Sequence, residues 1–212
     1  MGVNVVKGLQ CTDANQKYDK IHACAKHFAV HSGPEWNRHE FNAENIKPRD
    51  LHETYLVPFE ALVKEGKVKE VMCAYNRLEG DPCCGSDRLL MQILRQEWGY
   101  EGIVLSDCGA IDDFYREKGH KTHPDAESAS AAAVLSGTDL ECGSSYKALV
   151  ESAKKGLISE KDIDVSVKRL LKARFELGEM DDPSKVEWTK IPYSVVCSAE
   201  HDSLSLDIAR KS

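Results

Sequence analysis

Residues 102–107 read Gly-Ile-Val-Leu-Ser-Asp, a nearly continuous apolar run that ends in a carboxylate. Such a run is typical of a parallel strand that is covered on both faces. Similar runs at 23–30, 70–75 and 138–141 flank it, so the strands start near residues 23, 70, 102 and 138. This spacing leaves room for a helix after each strand, as right-handed βαβ crossovers require. The sequence therefore predicts parallel strands that alternate with helices.

Helical periodicity and punctuating Gly and Pro residues place the helices. The predicted helices run from Pro48 to Gly66, from Ser86 to Gly99, and over 126–135, 146–155 and 160–177. About four parallel strands with outer helices make an α/β fold equal to half of an eight-stranded barrel, which usually needs roughly 250 residues. An open four-stranded α/β sheet is the alternative. Beyond residue 182 the periodicity fades into a predicted linker, 184–196, and a last short helix.

The composition excludes several classes of partner. The chain has 212 residues, of which 42% are hydrophobic and 30% charged, so it can bury a sizeable core. Its formal net charge is −7 and no basic stripe stands out, which argues against nucleic acid and against an anionic membrane. No apolar stretch is long enough to cross a bilayer. Because Walker-type and Gly-x-Ser-x-Gly patterns are absent, we expect neither a nucleotide cofactor nor serine-esterase chemistry.

The eight cysteines, from Cys11 to Cys197, lack Cys-x-x-Cys spacing in a chain too large to need disulfides for stability. We interpret most of them as small buried apolar residues. A zinc site is the alternative, because four metal-binding side chains crowd into ten residues: His22, Cys24, His27 and His31. No second ligand pair follows at zinc-finger spacing, so we expect no metal.

Polar residues collect where the predicted strands end, which is where parallel α/β folds bind ligands. They are Lys26, His27 and His31, then Tyr75 and Asn76, then Ser106 and Asp107, and finally Asp139 and Glu141. A rigid, partly desolvated carboxylate at position 107 could act as a nucleophile. The alternative is that Asp107 only caps the following loop through backbone N–H groups.

The adjacent Lys26 and His27 could donate hydrogen bonds to neighbouring oxygens of a hydroxyl-rich ligand. In the alternative interpretation Lys26 is a buried charge that is paired with Asp139 or Glu141. Arg38 lies in a polar loop, and it is a surface residue unless that loop folds over the site.

Four motifs, in this order and spacing, resemble glycoside hydrolase family 3. They are Ala-Lys-His-Phe at 25–28, Val-Met-Cys-Ala-Tyr-Asn at 71–76, Trp-Gly-Tyr-Glu-Gly at 98–102 and Val-Leu-Ser-Asp-Cys at 104–108. The resemblance runs from about residue 5 to residue 212. It implies a retaining, exo-acting β-glycosidase, such as a β-xylosidase or β-glucosidase, with a (β/α)8-like barrel followed by an α/β sandwich domain.

The resemblance also implies roles for individual residues. Asp107 matches the catalytic nucleophile, and Lys26 and His27 match the pair that hydrogen-bonds the sugar in the −1 subsite. Tyr75 matches a tyrosine close to the nucleophile, and substrate-binding roles follow for Met72 and Arg38. Cys108, directly after the nucleophile, favours the β-xylosidase type over the β-glucosidase type. No cofactor is implied, and the expected ligand is a β-linked oligosaccharide or an aryl glycoside.

The resemblance predicts that the chain is a fragment. Residues 1–182 match the C-terminal half of the barrel domain, and 183–212 match a linker and the start of the second domain. The N-terminal half-barrel and the acid/base glutamate would lie elsewhere in a soluble full-length enzyme, which could be periplasmic or secreted. Two alternatives remain: an inactive carbohydrate-binding remnant, and a metal-dependent hydrolase that uses His22, His27, His31 and Asp107.

Overall fold

The computed structural model describes residues 1–10 and 16–212. Strands in this part of the chain are β1 (Cys24–Phe28), β2 (Asn42–Ala43), β3 (Glu70–Cys73), β4 (Arg77–Leu78), β5 (Asp81–Pro82) and β6 (Ile103–Ser106). Strands β1, β3 and β6 form a parallel sheet in the order β1-β3-β6. The short strands β2, β4 and β5 form a second small sheet. Three of the predicted strands are confirmed, and the fold is of the α/β class.

The fourth predicted strand, 138–141, contributes a single parallel bridge between Leu105 and Leu140. The Asp139 side chain explains why the pairing is so short. Its Oδ2 accepts the backbone N–H of Val104 at 2.9 Å, so a carboxylate takes a donor that a longer strand would use.

Helices occupy every region predicted to be helical. They are α1 (Gly2–Gln10), α2 (Pro48–Asp50), α3 (Val57–Lys64), α4 (Ala126–Leu135), α5 (Leu149–Lys154), α6 (Glu160–Glu176) and α7 (Ala199–Lys211), with π-helical turns over Leu51–Tyr55 and Arg88–Glu97. The sequence did not predict α1. The predicted helix from Pro48 to Gly66 is interrupted by the first π-helical turn, because Pro58 has no N–H to donate four residues back.

The two faces of the main sheet differ in burial. Val71, Cys73 and Val104 are fully buried on the face that packs against the helices. The next residues along the strands, Met72 and Leu105, lie side by side in register and are only half-buried. Leu140 extends the same row and is 43% exposed. The core therefore lies on the helical side of the sheet, and the opposite face is open.

A buried ion cluster ties the fourth strand region to two helical segments. The Asp139 side chain is 0% exposed and lies 2.7 Å from the Arg95 guanidinium and 2.8 Å from that of Arg169. Ser166 on α6 donates a further hydrogen bond to Asp139 at 3.0 Å. The cluster satisfies a charge that would be costly to bury alone.

This arrangement corrects the proposed pairing of Lys26. Asp139 is held by arginines on the helical side, and Glu141 accepts the backbone N–H groups of Ser145 and Tyr146 at 2.8 and 2.6 Å. Lys26 instead projects from β1 as an exposed side chain. Both carboxylates considered as alternative partners of Lys26 are thus engaged elsewhere.

The interpretation of most cysteines as small buried apolar residues is also wrong. Among the described residues two disulfides are present, Cys73–Cys84 and Cys108–Cys142, with Cα atoms 5.1 and 4.5 Å apart. Cys83 is free and buried, as expected, whereas the free Cys24 and Cys197 are exposed. Cys11 lies outside the described residues. The spacing of the cysteines along the sequence does not reveal the disulfides, because the paired residues become neighbours only in the folded structure.

The C-terminal part of the chain, from residue 183, forms short 3₁₀ turns followed by α7. Trp188 anchors the turns by donating its indole N–H to the carbonyl of Tyr18 at 3.1 Å. Helix α7 has no buried residue. Among the described residues, no helix is long and apolar enough to cross a membrane.

We expect the substitution Asp139→Asn to lower the free energy of unfolding by about 3 kcal/mol, because it leaves two guanidinium groups without their buried counter-charge. Urea denaturation followed by circular dichroism would measure the change. The matched control is Asp207→Asn, which removes an exposed partner of Lys211 on α7 and should change stability far less. Equal effects of the two substitutions would contradict the structural role of the cluster.

Candidate active site

The carboxyl ends of β1, β3 and β6 bring together most of the predicted site. His27 lies on β1, and Asp107 follows β6 directly. The His27 Nε2 atom is 3.3 Å from Asp107 Oδ2, and the two side chains are 28% and 14% exposed. Asp107 Oδ1 accepts the backbone N–H of Cys108 at 2.8 Å. Asp107 therefore binds its own loop through Oδ1, and its Oδ2 faces His27.

Burial lowers the pKa of His27, although the negative charge of Asp107 opposes the shift. The positive charges of Lys26 and Arg38 lower the pKa further. At neutral pH the imidazole is accordingly neutral, and it can donate one hydrogen bond and accept another.

Tyr75 lies two residues beyond the end of β3, and its hydroxyl donates a hydrogen bond to the carbonyl of Cys108 at 2.8 Å. Burial raises the pKa of Tyr75, and the charge of Asp107 raises it further. The phenol thus stays protonated and holds the backbone immediately after Asp107.

Arg38 is not a remote surface residue, because its loop folds over the site. The guanidinium lies 5.1 Å from the centre of the Tyr75 ring and also pairs with Glu35. Met72 lies in register with Leu105, two residues before Asp107, and is half-buried. The predicted residues therefore surround the ends of the same three strands.

Two further contacts around Tyr75 were not predicted from the sequence. The His39 ring packs edge-on against the Tyr75 ring, with centroids 4.5 Å apart, and its Nδ1 lies 2.7 Å from Asp113 Oδ2. The His120 Nε2 atom lies 2.7 Å from the carbonyl oxygen of Tyr75. Asp113 and His120 belong to the long loop after β6. The only sequence signals for these contacts are the adjacency of His39 to Arg38 and the polar character of that loop.

The disulfide Cys108–Cys142 fixes the residue next to Asp107 to the end of the fourth strand region. Two hydrogen bonds reinforce it: the Cys142 N–H donates to Ser106 Oγ at 3.0 Å, and the Gly109 N–H donates to the Cys142 carbonyl at 2.7 Å. The Asp107 backbone is thus held from two sides.

The ligand sets considered for a metal do not come together as complete groups. His22 precedes β1, at the opposite end of that strand from Asp107, so it lies apart from His27, His31 and Asp107. Within residues 1–10 and 16–212, the one group with metal-ligand spacing is Asp19, His22 and Glu176. The Lys69 ammonium already lies 2.9 Å from Asp19 and 3.0 Å from Glu176 and balances their charge.

The family model "Glycosyl hydrolase family 3 N terminal domain" matches residues 1–173. The chain is 57% identical over 213 residues to a xylan 1,4-beta-xylosidase of Xylanibacter ruminicola, with 100% of this chain and 24% of that protein covered. It is 36% identical over 210 residues to beta-D-xylosidase 1 of Arabidopsis thaliana, with 97% of this chain and 26% of that protein covered. The chain thus spans about a quarter of these curated relatives.

Solved structures are similar as well. The GH3 exo-beta-xylosidase XlnD, in complex with a xylobiose aziridine probe, has a TM-score of 0.84 and 30% identity over 99% of this chain and 26% of its own. The β-glucosidase EmGH1 of Erythrobacter marinus has a TM-score of 0.86 and 26% identity over 100% of this chain and 28% of its own.

His120 provides a test of how the loop holds Tyr75. A carbonyl can only accept, so Nε2 carries the proton, and burial lowers the pKa of His120 from 6.5 to about 4. Below pH 6.5 the His120 ring binds a proton in the unfolded chain, whereas in the folded chain it stays neutral until the pH approaches 4. Stability should therefore fall by about 3 kcal/mol through this group as the pH drops towards 4.

Urea unfolding of the wild type and of His120→Gln, measured between neutral pH and about pH 4, would isolate this contribution, because all other titrating groups are shared. Glutamine can still donate to the Tyr75 carbonyl but does not titrate. We expect the variant to lose less stability on acidification. Parallel pH profiles for the two proteins would show that His120 is not the neutral donor described.

Proposed function

The chain belongs to glycosyl hydrolase family 3, and we propose that it forms part of a retaining, exo-acting β-glycosidase. The proposed enzyme hydrolyses terminal non-reducing β-D-xylosyl or β-D-glucosyl residues through a covalent glycosyl-enzyme on Asp107. The observation that carries the proposal is the partly buried Asp107 carboxylate, 3.3 Å from the neutral His27 at the strand ends.

In the first step a carboxylate oxygen of Asp107 attacks the anomeric carbon while the bond to the leaving oxygen breaks. A general acid from another part of the enzyme protonates that oxygen. In the second step the same group, now a base, takes a proton from water while that water attacks the anomeric carbon from the face opposite Asp107. The bond to Asp107 breaks, so the configuration is retained overall. Oδ1 accepts the Cys108 N–H, and we take Oδ2, which faces His27, as the attacking atom.

The neighbouring side chains suit a sugar ligand. Lys26, His27 and Arg38 can donate hydrogen bonds to hydroxyl groups, and Met72 offers an apolar surface to a sugar ring. Tyr75 positions the backbone after Asp107 through its bond to Cys108. We propose xylose as the preferred sugar, because the curated relatives described above are named xylosidases.

We also propose that residues 1–182 are the C-terminal half of a (β/α)8 barrel and that 183–212 lead into a second domain. The parallel order β1-β3-β6, extended by the bridge at Leu140, supports the half-barrel. The open face of the sheet is where the other half would pack. The partner of this chain is accordingly the remainder of the enzyme.

The test transplants the chain into the Xylanibacter ruminicola relative in place of the matching segment, which 57% identity over the whole chain makes feasible. We expect the chimera to hydrolyse an aryl β-xyloside faster than the matching β-glucoside. Asp107→Asn should lower kcat by roughly 10⁴-fold or more, because it removes the covalent step. The control Asp202→Asn, on α7, should retain activity.

Intact-mass analysis after incubation with a 2-deoxy-2-fluoro-β-xyloside that bears a good leaving group should show a glycosyl adduct mapped to Asp107. The Asp107→Asn chimera should show none. A folded chimera that neither turns over nor becomes labelled with either sugar would contradict the proposal and favour an inactive carbohydrate-binding remnant.

A further inference from the structure

The pair His39 and Asp113 lies beside the proposed site but has no role in the chemistry described so far. The Arg38 Nε–H donates to His39 Nε2 at 3.2 Å. A guanidinium has no acceptor, so His39 Nε2 must carry the lone pair. The ring proton therefore lies on Nδ1, which donates to Asp113 Oδ2 at 2.7 Å. The hydrogen bonds run in one direction, from Arg38 through His39 to Asp113.

The end of this chain of hydrogen bonds is fixed. The Asp113 side chain is only 6% exposed, and it lies in a 3₁₀ turn, Asp112–Phe114, after β6. The backbone carbonyl of Asp113 accepts the N–H of His120, whose ring holds Tyr75. Burial raises the pKa of Asp113, and the hydrogen bond from His39 acts in the opposite direction.

The other end is the guanidinium of Arg38, which lies over the Tyr75 ring at 5.1 Å. The His39 ring contacts the same tyrosine edge-on. Arg38 also pairs with Glu35, but the Glu35 side chain is 76% exposed and is a weak anchor. The bond to His39 is therefore the contact that ties Arg38 to the buried side of the site.

We propose that Asp113 and His39 are positioning residues that hold the Arg38 guanidinium over Tyr75 at the mouth of the site. Asp113 fixes the tautomer and the ring plane of His39, and His39 Nε2 fixes the direction of Arg38. The pair thereby sets how tightly Arg38 binds the sugar. This inference deepens the proposed function and rests on it for the identity of the ligand.

The first test is independent of activity. Nitrogen-15 NMR of the 212-residue chain, with long-range correlations within the histidine rings, assigns the tautomer of each imidazole. We expect His39 to carry its ring proton on Nδ1, with the lone pair on Nε2, and to lose this fixed tautomer in Asp113→Asn. A wild-type His39 protonated on Nε2 would overturn the proposal, because Arg38 could not then donate to it.

The second test is a double-mutant cycle in the chimera. His39→Leu removes both hydrogen bonds and should lower kcat/KM for an aryl β-xyloside about tenfold, mainly through KM. His39→Gln keeps a donor and an acceptor and should recover part of the loss. In an Arg38→Met background, His39→Leu should have no further effect on kcat/KM, because the guanidinium that His39 orients is absent. The exposed His52→Leu serves as the control.

The outcomes separate the two proposals. An inactive chimera with an intact His39 tautomer would contradict the proposed function and leave the positioning pair confirmed by NMR. An active chimera in which His39→Leu costs the same with and without Arg38 would overturn the positioning role, since His39 would then act only on loop stability.

Discussion

The register between β3 and β6 is the constraint on which the site depends. Cys73 pairs with Ser106, and the Asp107 N–H donates to the Cys73 carbonyl at 3.2 Å. Tyr75 and Asp107 therefore leave the sheet from adjacent strands at the same level. A slip of one residue would exchange the two faces of β6 and would move Asp107 away from His27 and Tyr75. The disulfides and the loop after β6 then hold the residues that follow these strand ends.

Much of the fold was predictable because it depends on local patterns. The apolar runs that became β1, β3 and β6 are short, and each is followed by a segment with helical period. The fourth strand region was harder, since the Asp139 side chain competes there with the backbone ladder. The interruption near Pro58 follows from a missing N–H, although periodicity alone suggests one continuous helix.

The site was predictable only where a residue ends a strand. His27 and Asp107 meet because parallel strands end at one edge, and this rule needs no knowledge of loops. The partners of Asp139 could not be foreseen, since the choice between Lys26 and the arginines depends on which face of the sheet each side chain takes. The contact between His39 and Asp113 and the two disulfides among the described residues depend on loop conformation. Loops leave no periodic pattern in the sequence.

The burial of Asp139 between Arg95 and Arg169 also has a consequence for behaviour in the heat. The hydration free energy of charged groups becomes less favourable as temperature rises, so the cost of withdrawing such a cluster from water falls. Hydrophobic stabilisation per unit area levels off over the same range. The link between the fourth strand region and its helices should therefore weaken less on warming than the apolar contacts around it. Thermal opening of the chain would then begin elsewhere than at this cluster.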